Sequence, residues 1–144
     1  MKDYYHATAG IPKPPKRSTV KAREKRQHHK HVADVRAYVF ARENGICRCC
    51  GKRSAESMHE ILPRSLGGTV SHENSIALCG SGTTGCHGLM QQHHITVGST
   101  DQAGADGELF FVARTAGALA WVFEDGVTFF CDTTARWETT PRHV

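Results

Sequence analysis

Residues 47–87 read CRCCGKRSAESMHEILPRSLGGTVSHENSIALCGSGTTGCH, and the rest of the chain is arranged around them. Cys47 and Cys50 form a C-x-x-C followed by Gly51, a knuckle in which successive backbone N–H groups can turn toward a thiolate. Cys79 and Cys86 supply a second pair, separated by Gly-Ser-Gly-Thr-Thr-Gly, whose glycines let the chain fold back and present both thiols. Four thiolates from two separated turns suit zinc, which accepts a closed tetrahedral sulfur cage without a geometric preference of its own. The expectation is a structural zinc held by Cys47, Cys50, Cys79 and Cys86. Cys49 lies inside the first knuckle, and pairing Cys47 with Cys49 is the alternative. Cys131 stands apart and reads as a small buried hydrophobe.

Between the cysteine pairs, residues 57–62 have the pattern of a short strand, 63–73 of a glycine-containing loop, 75–78 of a second strand, and a helix is expected from His87 onward. His59, Glu60, Asn74 and His87 then meet over one hairpin and one helix. The series Met58-His59-Glu60-Ile61-Leu62-Pro63, Gly67-Gly68, Glu73-Asn74 and Cys86-His87, in that order, resembles the HNH endonuclease family over roughly residues 35–95. The resemblance implies an α+β fold with a ββα-metal core, and a divalent cation such as Mg²⁺ or Mn²⁺ held between strand and helix by His59 and His87. It further implies hydrolysis of DNA phosphodiester bonds. Asn74 would use its amide to bridge backbone groups across the loop and hold the first strand in place.

Alignment on Pro63 puts His59 at the ligand position and Glu60 where the family carries a histidine base. Three readings of Glu60 stand side by side: it is the base; it is a further metal ligand, with another histidine such as His72 as base; or it marks lost cleavage. Adjacent strand residues point to opposite faces, so His59 and Glu60 share one cation only if the strand bends. A carboxylate, with an unperturbed pKa of about 4.3, is a weaker base than imidazole near neutrality. His87 opens its helix, and the turn after it carries Gln91 where many relatives have another histidine. His94 falls about 10 Å further along a helix axis, too far to share a cation with His87. His93 and His94 are accordingly read as DNA-facing or structural, and Arg64 as a phosphate clamp.

Charge is unevenly distributed over the 144 residues. Residues 1–31 hold nine Lys or Arg against Asp3 and Glu24, whereas residues 97–144 hold three Arg against seven Asp or Glu. The basic end is an electrostatic footprint for a polyanion, with Lys21, Arg23, Lys25, Arg26 and Lys30 as candidate DNA contacts; a solvated face is the plainer account of the same charges. No apolar leader follows Lys2 and no segment approaches membrane-spanning length, so no membrane partner is expected. Six cysteines could form three disulfides in a secreted domain. Without a leader, a reducing cytosol with metal-bound thiolates fits better, and the family resemblance points to a bacterial or phage-encoded protein.

The remaining chain divides into a basic flexible arm or helix over 1–31, the HNH core over 32–96, and a C-terminal β meander and tail over 97–144. Pro12, Pro14 and Pro15 oppose a packed helix before Arg17. Ser18 or Thr19 can cap a helix beginning near Val20 and ending at Gly45. Its first half lacks an apolar stripe, whereas Val32, Val35 and Val39 recur at helical spacing and should pack on the core, with Arg36 and Arg42 off that stripe. Residues 95–107 read as loop, 108–113, 118–123 and 127–131 as three strands, and 133–144 as a mobile tail. Asp125-Gly126 marks a tight hairpin, and Phe110, Trp121, Phe123 and Phe129 are expected on one apolar face. That meander would cover the core or build a homodimer surface. A zinc-containing nucleic-acid-binding module without catalysis is the rival function, and a protein-interaction domain on the C-terminal sheet a third.

Overall fold

The computed structural model describes residues 12–123 and 135–142. It is an α+β arrangement: helix α1 (Arg17–Arg42), strands β1 (Ser57–Glu60) and β2 (Ser75–Leu78), helix α2 (Gly85–Gln91), strands β3 (Ile95–Ser99) and β4 (Leu109–Ala113), helix α3 (Ala116–Val122) and strand β5 (Ala135–Thr139). Contacts divide the chain into residues 1–31 and a compact unit of residues 32–144.

Helix α1 starts earlier than its serine and threonine suggest. The Lys16 carbonyl accepts from Val20 N at 3.1 Å, so Lys16 rather than Ser18 or Thr19 stands at the cap, directly after Pro14 and Pro15. Residues 17–31 are exposed on every side, as a helix without an apolar stripe must be. Further along, Val35 and Val39 are buried against Val70 and Ala77. Arg42, expected off this stripe, is on it and 4% exposed. Its guanidinium meets Glu43, Asp106 and the carbonyls of His72 and Ser75, which is what permits a cation at a buried i+7 position. The chain leaves the helix through Asn44 and Gly45, both at positive φ (54° and 68°).

β1 and β2 pair antiparallel, with Ser57 opposite Leu78 and Glu60 opposite Ser75. The expected strand over 57–62 stops at Glu60 because Asn74 takes over the ladder. Ile61 N donates to Asn74 O at 2.8 Å, Leu62 N donates to Asn74 Oδ1 at 2.8 Å, and Pro63 has no donor to continue. β2 is buried throughout and carries Ile76 and Leu78 into the main core with Met90, Leu109 and Phe111.

The C-terminal half differs from its sequence expectation in three places. Residues 95–99, read as loop, form β3, which pairs antiparallel with β4; the β-branched Ile95, Thr96 and Val97 outweigh Gly98, whose cross-strand partner Phe110 lays its ring over the position a side chain would take. Residues 118–123, read as a strand, lie mostly in helix α3, because Thr115 Oγ1 accepts from Ala118 N at 3.2 Å and the Ala-rich turn buries Ala118 and Val122 at i and i+4. Residues 135–139, read as tail, form β5, which pairs with β4 and alternates inward Ala135 and Trp137 with outward Arg136 and Glu138. The predicted boundary at 96/97 therefore falls inside β3. Trp121 and Phe123 belong to α3 and its end instead of a strand face, Phe110 pairs across to Gly98, and the expected strand over 127–131, its turn and Phe129 lie outside the described residues.

Candidate functional site

Four cysteine sulfurs converge where the turn after α1 meets the end of β2 and the start of α2. The Sγ atoms of Cys47, Cys50, Cys79 and Cys86 lie within 4.8 Å of one another. Thiolates around a tetrahedral ion at about 2.3 Å are separated by about 3.8 Å, so the set can hold a metal ion such as zinc. Cys47, Cys79 and Cys86 are buried, Cys50 is half-buried, and all are free thiols. The knuckle closes locally: Gly51 N donates to Cys47 O at 3.0 Å and Cys47 N to Arg53 O at 2.8 Å. On the other side Cys86 N donates to Cys79 Sγ at 3.4 Å. The long spacer is possible because Gly80 (φ 79°) and Gly85 (φ 64°) are left-handed and approach each other so closely that a Cβ on either would strike backbone. The sulfurs titrate against one another. Hydrogen bonding with Cys47 pulls Cys79 down to about 7 and Cys50 below the ordinary thiol range, while Cys47 and Cys86 are pushed up by hydrogen bonds with Cys50 and Cys47 respectively. Cys49 is buried but outside the set, its carbonyl accepting from Trp137 Nε1 at 3.0 Å, so Cys50 and not Cys49 completes the first pair. Cys131 lies outside the described residues.

Beside the cysteines, β1, α2 and β3 enclose an open cavity of about 500 Å³ whose polar lining includes His59, Glu60, His87, Gln91 and His93. His59 on β1 and His87 on α2 face each other edge to face, ring centroids 5.3 Å apart. Burial, and secondarily the neighbouring His87, lowers His59 to about 4, so its imidazole is neutral at ordinary pH. Burial also lowers His87. Ser57 Oγ lies 2.7 Å from His87 Nδ1, and Gln91 Nε2 lies 3.3 Å from His87 Nε2. Glu60 lines the same cavity as His59 because it ends the strand, and Arg64 Nε donates to its Oε1 at 3.2 Å. Glu60 does not close with His59 and His87 into a three-donor group of the kind the cysteines form. Asn74 stands behind the site: besides accepting from Leu62 N, it donates through Nδ2 to Leu62 O at 2.9 Å and Thr69 O at 2.8 Å, bridging the loop.

Several residues take places the sequence did not indicate. α2 ends at Gln91, and His93, at φ 59°, lines the cavity rather than continuing a helix; His94 does not belong to the lining. His72 is outside it too, its ring against Tyr38 at 4.8 Å between centroids and its Nδ1 on Asp106 Oδ2. Burial alone would raise Asp106, but hydrogen bonds with Arg42 and His72 outweigh it and hold the carboxyl below its usual range. His72, Glu73 and Asp106 form the other close group of ligand-type side chains among the described residues, with both Asp106 oxygens already taken by Arg42, Tyr38 and His72. Lys21, Arg23, Lys25, Arg26 and Lys30 are all exposed along the first half of α1, and the Arg64 side chain is 58% exposed. Among the described residues no helix is long and apolar enough to cross a membrane.

No family model, curated protein or solved structure matches this chain.

Proposed function

We propose that this protein is a metal-dependent HNH-type endonuclease that hydrolyses DNA phosphodiester bonds, with a structural zinc on Cys47, Cys50, Cys79 and Cys86. The observation that carries the reading is the His59–His87 pair, 5.3 Å apart across a cavity between an antiparallel strand pair and a short helix, framed by the Asn74 bridge. Pure nucleic-acid binding gives no reason for the His59, Asn74 and His87 set, which favours the catalytic reading. Mg²⁺ or Mn²⁺ held by His59 and His87 would supply electrostatic stabilisation of the developing charge at phosphorus and the departing 3′ oxygen.

The chain's own residues do the rest. Arg64 is drawn to the phosphate: its side chain is 58% exposed and its hydrogen bond to the half-buried Glu60 is 3.2 Å, so it can leave Glu60 to do so. The freed Glu60 carboxylate accepts a proton from the attacking water as the new P–O bond forms and the P–O3′ bond breaks, the leaving oxygen taking a proton from solvent. Lys21, Arg23, Lys25, Arg26 and Lys30 hold backbone phosphates without reading bases, which makes affinity fall with salt by about 0.9 log units per log unit for each phosphate neutralised. Free thiols suit a reducing cytosol, and the family resemblance a bacterial or phage origin.

Supercoiled plasmid is the test substrate, with and without added Mg²⁺ or Mn²⁺, for the native protein, His87→Ala and Glu60→Gln, each checked for zinc content. Metal-dependent nicking abolished in both variants is the expected result. The Glu60–Arg64 ion pair favours a second reading, in which the carboxylate is permanently occupied and the protein binds nucleic acid without cutting it. Intact plasmid with salt-sensitive binding by folded, zinc-loaded protein would select that reading.

A further inference from the structure

His87 is held between two neighbours of opposite hydrogen-bonding sense. On one edge, Ser57 Oγ lies 2.7 Å from Nδ1 and also 2.8 Å from Gly80 O and 3.4 Å from Leu78 O. A serine hydroxyl has one proton, and a carbonyl can only accept. With that proton donated to Gly80 O, an Oγ lone pair faces the ring, and Nδ1 is then the nitrogen that carries hydrogen. On the other edge, Gln91 Nε2 is a donor 3.3 Å from His87 Nε2, and the contact is a hydrogen bond when that nitrogen accepts. Two contacts from different elements are satisfied together by one neutral form, protonated at Nδ1 with a lone pair on Nε2. An unconstrained imidazole favours the opposite tautomer.

We propose that Ser57 is a positioning residue that locks the His87 tautomer and ring orientation, so that the Nε2 lone pair is offered to a divalent cation in the cavity opposite His59. Gln91 shields that lone pair as a displaceable donor. The purpose assigned to the lone pair rests on the nuclease reading; the tautomer does not. The site explains why β1 begins with a small hydroxyl residue: Ser57 is half-buried at the strand's first position, where its hydroxyl lies between the Gly80 carbonyl and the His87 ring. Partners behind a ligating histidine typically change metal affinity by about 10-fold to 100-fold when removed, by losing this orientation.

Long-range ¹H–¹⁵N correlation on the ¹⁵N-labelled full chain near neutral pH reads the tautomer directly, with His87→Gln assigning the signals. The native protein is expected to show His87 protonated at Nδ1. Ser57→Ala should move it toward the Nε2–H form and weaken Mn²⁺ binding by about 10-fold or more in calorimetry, and Ser57→Thr, which keeps the hydroxyl and suits a strand, should restore both. Native His87 protonated at Nε2, or a tautomer unchanged in folded Ser57→Ala, overturns the proposal. If the tautomer shifts as expected and native protein binds Mn²⁺ but does not nick plasmid, the positioning role stands and the nuclease reading falls; if it binds no Mn²⁺, the cation role of the lone pair falls as well. Nicking with an unshifted tautomer does the reverse.

Discussion

His93 occupies a backbone conformation that costs a non-glycine residue about 1–2 kcal/mol. It sits just past α2, where His94 N donates to Leu89 O at 2.8 Å and His93 N to Met90 O at 3.0 Å, the hydrogen-bond pattern of a helix end that glycine normally fills. An imidazole placed there at a cost to the cap, and lining the cavity, is expected to serve the cavity. His93→Gly should therefore raise stability by up to about 1 kcal/mol in thermal unfolding and, if the cavity is the nuclease site proposed above, lower plasmid nicking. Unchanged nicking would reduce His93 to a backbone irregularity. The sequence could not have shown this, because two histidines after an amphipathic turn carry no mark of which one ends it. His59 gives a second test at this scale. Its folded value of about 4 lies below the unfolded 6.5, so the unfolded chain binds the proton first and stability, full above about 6.5, is lost as pH falls toward 4. Urea midpoints across that window should drop for native protein and drop less for His59→Gln, which cannot titrate; parallel curves would mean that His59 is not held neutral.

Among the elements, those that build the site were the most legible. A histidine strand ending in proline and a buried apolar strand before Cys79 marked β1 and β2, because alternation and turn chemistry act over four to six residues. β3 and α3 were misread for opposite reasons. Glycines at 98, 104 and 107 hid three β-branched residues, and an apolar run over 118–123 hid the Thr115 cap that commits it to helix. Short apolar runs carry no period of their own, so tertiary pairing decides them. The cysteine group ties these elements together, since it draws one ligand pair from the turn after α1, one ligand from β2's end and one from α2. Structural zinc contributes about 10–16 kcal/mol in zinc-finger peptides, comparable to or above the about 5–15 kcal/mol stability of a typical domain. Chelation is thus expected to abolish the cooperative unfolding transition and expose the four thiols to a thiol reagent. Cys50→Ser should lose the metal and Cys49→Ser keep one zinc per chain by elemental analysis; equal loss in both would return Cys49 to the ligand set.

At the scale of the 32–144 unit, a buried charge network joins segments that no local pattern connects. Glu43, 0% exposed, accepts through Oε1 from Arg42 Nε and Arg48 Nη1, both at 2.8 Å. Arg48 directs all five N–H donors to acceptors: Glu43, Ala105 O, Gly107 O, and Thr139 through both its hydroxyl and its carbonyl. Burial lowers the Arg48 pKa, with Glu43 opposing that shift. Through this network the end of α1, the knuckle, the turn before β4 and strand β5 are held in one register, and Trp137, stacked on Phe111 at 5.6 Å, seals it. Sequence reading left Arg42 off the apolar stripe and said nothing of Glu43 and Arg48, since such residues are almost never fully buried unless paired, and the partners here lie up to 91 positions away. Removing one member of a buried pair costs about 3–5 kcal/mol, because the stranded charge cannot regain water. Glu43→Gln strands part of two guanidinium charges at once and should lower urea stability by about that amount. Glu43→Leu with Arg48→Met removes a charge and its partner together, so its cost should fall short of the sum of the single changes by about 1 kcal/mol or more. Strict additivity, or a Glu43→Gln cost below about 1 kcal/mol, would mean that the Glu43 carboxylate contributes little to the network and that the Arg48 and Trp137 hydrogen bonds with apolar packing hold β5 to the cysteine knuckle.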